Sequence, residues 1–150
     1  MEQDSMLAKR LLREKNAACA VVKEGAAELS YQAGIRPLLD WLEQKPDFLR
    51  GACVADRVVG KAAAMLMLAG GVREIYAGVV SHYALECLAQ HGVLCFYEEK
   101  VVSIRNRAGT GMCPMEECCL AMDDPDEAHA ALRHKVDEMR GTASGPVEQK

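Results

Sequence analysis

The chain has 150 residues, half of them hydrophobic and 27% charged, with a net charge of −4. That balance describes one globular domain large enough to bury a core and excludes a disordered chain. The acidic net charge argues against nucleic acid as a partner, and no uncharged stretch reaches the roughly 20 residues of a membrane helix.

Ser5 is placed to cap a first helix, with Met6, Leu7, Leu11 and Leu12 on one face and Lys9, Arg10, Arg13 and Glu14 towards solvent. Glu2 and Asp4, with no apolar run behind them, do not look like a signal peptide. The apolar run Ala17–Val22, the turn Lys23-Glu24-Gly25 and the alternation through Leu29 and Tyr31 predict a β-hairpin. Residues 34–44 form an amphipathic helix, with Pro37 in its first turn, Ile35, Leu38, Leu39 and Leu42 at helical spacing, and Pro46 beyond its end. Trp41 reads as a cover for the edge of the core.

Ala52–Ala55 predicts a short buried strand, followed by Asp56-Arg57 and a strand-like Val58-Val59. A central helix begins at Gly60 or Lys61 and carries eight uncharged residues to Ala69. Arg73–Val80 is a strand, Ser81–His91 a helix capped by Ser81 and stopped by Gly92, and Val93–Tyr97 another strand. Glu98-Glu99-Lys100 reads as a solvent turn before a last strand, Val101–Ile104. Alternating strands and helices predict right-handed crossovers and a sheet covered on both faces.

A loop rich in Arg and Gly, residues 105–111, leads to Cys113-Pro114, where a short helix opens. Asp124-Pro125-Asp126-Glu127 is a helix start, with Asp124 as cap and Glu127 closing a capping box. Ala128, Ala131, Leu132, Val136 and Met139 form the buried stripe of that helix. Residues 141–150 read as a disordered polar tail, leaving residues 1–140 as one domain. Seven cysteines, an odd number set in apolar patterns, suit reduced thiols and a cytoplasmic location.

Two motifs, Asp56-Arg57-Val58-Val59-Gly60-Lys61-Ala62-Ala63-Ala64 and Gly111-Met112-Cys113-Pro114-Met115-Glu116, carry a resemblance covering about residues 17–120. The chain resembles a bacterial family of unknown function with a cytidine-deaminase-like fold. The resemblance implies an α/β chain folded as a three-layer α/β/α sandwich with a mixed central sheet. Zinc deaminases place a His or Cys, Ala and Glu at the start of the central helix, and Pro-Cys-x-x-Cys at the next. Here those positions read Gly60-Lys61-Ala62 and Ser81-His82-Tyr83, which offer at most His82 where three ligands are needed. The expectation is therefore no metal and no cofactor.

Candidate site residues follow from helix-end chemistry. Gly60-Lys61 at a helix N-terminus favours an anion, unless Asp56 is the internal partner of Lys61. Cys113 sits at a helix start, where a thiol gains reactivity, with Glu116 one turn on as a proton relay. Cys113, Cys118 and Cys119 lack a zinc or iron–sulfur spacing. His82 is the histidine nearest a strand-to-helix junction, where ligands of open α/β sheets collect.

Three readings stay open at this level. One is a pocket for a small anionic or nucleotide-like ligand, made by Asp56, Gly60, Lys61 and His82 with Cys113 and Glu116. Another is a metal-independent thiol enzyme using Cys113. The third is a non-catalytic structural or regulatory protein that pairs with a second copy.

Overall fold

The computed structural model describes residues 2–144, and the side chains of residues 2–140. Five strands form one mixed sheet: β1 (Cys19–Lys23), β2 (Ala26–Ser30), β3 (Cys53–Val59), β4 (Glu74–Ser81) and β5 (Leu94–Val101). Their order is β2-β1-β3-β4-β5. The β1–β2 and β1–β3 pairs are antiparallel, and β3, β4 and β5 run parallel. Among the described residues six helices accompany them: α1 (Asp4–Glu14), α2 (Arg36–Gln44), α3 (Lys61–Gly70), α4 (His82–Gln90), α5 (Pro114–Cys119) and α6 (Pro125–Ser144).

The expected three-layer α/β/α sandwich is what the chain adopts. Strands β3, β4 and β5 step in one direction across the sheet, so right-handed crossovers put α3 and α4 on the same face. There α2, α3, α4 and α6 share a core built around Leu38, Leu39, Met65, Leu66, Leu88 and Leu132. Among the described residues helix α1 alone covers the other face, packing Ala8 and Leu12 against Ala20, Val22, Ala55 and Tyr76. Helix α3 is apolar all round because it is buried all round, between the sheet and α2, α4, α5 and α6.

The hairpin turns on Glu24 (φ 52°) and Gly25 (φ 83°), the paired positive-φ geometry that matches strand twist. Asp4, rather than Ser5, opens α1, and its carboxylate accepts the Glu24 and Gly25 amides at 2.8 and 3.1 Å. The buried residues of α1 are Ala8 and Leu12, while Met6 is exposed. Ser81 does cap α4, accepting the Ala84 amide at 3.1 Å.

Two strand boundaries differ from the sequence expectation. Strand β3 continues through Asp56-Arg57 to Val59, because Asp56 turns inward and Arg57 reaches across to α1. Strand β5 runs through Glu98-Glu99-Lys100, where a turn was expected, and ends at Val101, so the separate last strand expected at Val101–Ile104 does not form; the parallel ladder continues with Val79↔Glu99 and Val80↔Lys100. An edge strand largely open to solvent accommodates three successive charges that a central strand would not.

Helix α6 extends to Ser144, into the stretch expected as a polar tail; 145–150 lie outside the described residues. Among the described residues no helix is long and apolar enough to cross a membrane. All seven cysteines are free thiols.

Candidate functional site

The carboxyl ends of β3 and β4 feed the N-termini of α3 and α4, and the segment from Ile104 to Leu120 folds over both. Glu116, on α5, is the residue that joins them. It is 1% exposed. Its Oε2 accepts the Lys61 backbone amide at 2.8 Å and the Ser81 hydroxyl, and its Oε1 accepts the Ile104 amide. One carboxylate thus closes the first turn of α3, meets the cap of α4 and anchors the incoming loop. Charge-assisted bonds of this kind are about twice as strong as neutral ones, and the helix end adds a partial positive charge.

Gly60 makes the approach possible. A Cβ there would stand 2.8 Å from Ile104 Cγ1 and 3.2 Å from Glu116 Oε2. The requirement is for space, since the Gly60 backbone is ordinary extended chain (φ −95°, ψ −177°).

Beside this junction lies a cleft of about 290 Å³ with mostly apolar walls, including Ile35, Val58, Ala63, Ile104 and Met115. Asp56, Cys113 and Glu116 also line it. Asp56 is buried, and burial pushes its carboxyl up to about 7 against the opposing pull of the Val58 and Arg57 backbone amides. No side chain among the described residues pairs with it. The neighbouring Cys19 thiol, its register partner on β1, is held well above the usual range by burial and then by the charge of Asp56. Arg57 touches the cleft, but its guanidinium donates to the Ala17 and Leu12 carbonyls at 2.8 and 2.9 Å, on the α1 side.

The structure brings together Asp56, Gly60, Cys113 and Glu116 along one cleft, and the side chains of Lys61 and His82 lie outside it. Lys61 contributes its backbone amide to Glu116, whereas its ammonium turns away to the Leu120 carbonyl at 2.9 Å. There it acts on the Cys87 and Cys119 thiols, which it pulls down against the larger effect of burial. The Asp56–Lys61 ion pair considered from sequence does not form. The helix end read as an open anion site already holds a carboxylate, that of Glu116. His82 is exposed and faces Glu86 at 3.9 Å, outside the cleft.

Cys113 is half-buried and forms the N-cap of α5; its amide donates to the Ile104 carbonyl at 2.7 Å. The Glu116 carboxylate, one turn on, accepts three hydrogen bonds from elsewhere, and none is from Cys113. Sequence reasoning missed the second role of Ser81, whose hydroxyl both caps α4 and donates to Glu116. It also missed Ile104 as a wall and an amide donor; neither has a local signal, since both arise from contacts distant in sequence. Among the described residues no group of three or more His, Cys, Asp or Glu side chains is disposed to hold a metal ion.

Residues 7–136 match the family described as TM1506, domain of unknown function (DUF1893). The crystal structure of a DUF1893 family protein (TM1506) from Thermotoga maritima is similar over 90% of this chain and 92% of that one, with 30% identity and a TM-score of 0.80. No curated protein matches the chain. With the family match spanning most of the chain and a solved relative similar over nine-tenths of both chains, the chain belongs to the DUF1893 family.

Proposed function

We propose that this domain reversibly binds a small, largely apolar molecule in the cleft between the end of β3, the start of α3 and the segment 104–116. The observation that carries this reading is Asp56: a carboxyl buried without a side-chain partner, in an apolar cleft with room for a ligand. Such a group is costly to maintain in a fold that has no use for it, and apolar clefts with one placed polar group are the usual form of small-molecule sites. The strand order and the helices that follow β3 and β4 also suit the cytidine-deaminase-like frame suggested by the sequence, with Glu116 standing at the helix ends where deaminases keep their metal.

An anionic ligand at Lys61 has less support, since both its amide and its ammonium have protein acceptors. Thiol catalysis at Cys113 lacks a free base for the same kind of reason. The reading is tested by screening small molecules for thermal stabilisation of the wild type and of Val58→Trp, which fills the cleft from its exposed rim. A ligand present at about 100 times its dissociation constant should stabilise the wild type by roughly 2.7 kcal/mol, leave Val58→Trp unmoved, and protect Cys113 from alkylation. Equal stabilisation of both proteins, or of neither, sinks the reading.

A second reading, pairing of two copies, draws on the open edge of β5, where Leu94, Phe96 and Tyr97 are all exposed. Sedimentation of the wild type against Phe96→Lys tests it: a dimer that dissociates on substitution supports it, and a monomeric wild type removes it.

A further inference from the structure

We infer that the cleft selects a delocalised planar cation, an amidinium or guanidinium on a compact apolar body, which docks its N–H groups on Asp56. The inference rests on the cleft being a ligand site and adds the chemistry of the ligand.

The ionisable groups around Asp56 offer it no cation. On its own strand, Arg57 directs its guanidinium to α1 and satisfies the Ala17 and Leu12 carbonyls. From β1, Cys19 offers a thiol that burial and Asp56 itself keep protonated. From the segment over the cleft come Cys113 and Glu116, and the Glu116 oxygens accept the Lys61 and Ile104 amides and the Ser81 hydroxyl. The one cation that lines the cleft, Arg57, directs its guanidinium away from it, so among the described residues the lining offers carboxyls and a thiol and no positive charge aimed inward. Above about pH 7 a carboxylate ligand would meet the ionised Asp56 with like charge and no cation to offset it.

The type of cation follows from desolvation. A compact ammonium is strongly hydrated and loses that hydration on entering apolar walls. A guanidinium or amidinium is more weakly hydrated, and its planar fork matches the two oxygens of a carboxylate. A cleft of about 290 Å³ stands at the lower limit of ligand pockets, which restricts the body to about one ring or a short branched chain. Binding also has a proton balance. The cation requires ionised Asp56, so below about pH 7 the carboxyl must release a proton as the ligand enters.

The test uses three probes of one size: benzamidinium, benzamide and benzoate, titrated calorimetrically into wild type and Asp56→Asn. The expected result is benzamidinium binding at least tenfold tighter than benzamide, with no benzoate binding and no preference left in Asp56→Asn. Benzamidinium keeps its charge between pH 8 and pH 5.5, so its affinity for the wild type should fall about thirtyfold as the competent, ionised fraction shrinks. This pH series needs no variant. Benzamide and benzoate binding as well as benzamidinium, with Cys113 still protected, overturns the cation while leaving the ligand cleft intact. Absence of binding by all three overturns the inference, and only failure of the wider screen removes the cleft reading as well.

Discussion

Glu116 completes the N-terminus of α3: its Oε2 accepts the Lys61 amide at 2.8 Å from a position 55 residues further along the chain. The carboxylate that a helix end favours is here a part of the protein. Glu116→Ala would leave the Lys61 and Ile104 amides without their acceptor and open a void in a buried position. We expect a loss of about 3–5 kcal/mol in urea unfolding, and about 1–3 kcal/mol for Glu116→Gln, which keeps the shape but loses the charge. Hydrogen exchange at the Lys61 and Ile104 amides should accelerate first. A Glu116→Ala protein as stable as the wild type would show that the junction contributes little.

Gly60→Ala should destabilise by about 1–3 kcal/mol through overpacking, since the new Cβ meets Ile104 Cγ1 at 2.8 Å. Adding Ile104→Val, which trims that neighbour, should return part of the loss. Additive effects of the two substitutions in a double-mutant cycle would contradict direct contact between them.

Asp56 predicts an unusual pH dependence. Its carboxyl is raised by burial from 3.8 to about 7, so between those values the folded protein holds a proton that the unfolded chain has released. Stability from this group is therefore complete below about pH 4 and is lost as pH rises to about 7, by roughly 4 kcal/mol at most. Asp56→Asn should flatten that slope and unfold at higher denaturant at pH 8. If the wild type and the variant share one pH profile, Asp56 is not buried as described.

Arg57→Ala should cost about 1–3 kcal/mol, because the Leu12 and Ala17 carbonyls near the end of α1 lose a charged donor. Arg57→Lys should recover only part, since one ammonium does not reproduce the fork that spans both carbonyls. Full recovery by lysine would mean that charge alone matters there.

Much of the fold was legible locally. The period of Leu38, Leu39 and Leu42, the Ser81 cap and the positive-φ turn at Glu24-Gly25 each specify their element through a few neighbouring residues. Glu98-Glu99-Lys100 misled because charge density signals a turn only where neither strand face is free to meet solvent, and β5 is an edge.

The sequence by itself determined which residues are chemically exceptional: Asp56, Gly60, Lys61, Cys113 and Glu116 all stand out by type and place. Only the tertiary structure decided their partners. Lys61 and Asp56 are five positions apart, yet the strand ends and the helix begins between them, so their side chains diverge to Leu120 and to the cleft. Glu116 finds Lys61 and Ser81 only after the β3–α3 and β4–α4 units have packed and the segment 104–116 has closed over them. Long-range contacts of that kind leave no periodicity in the chain, because they depend on where separate elements are brought together by burial of their apolar faces.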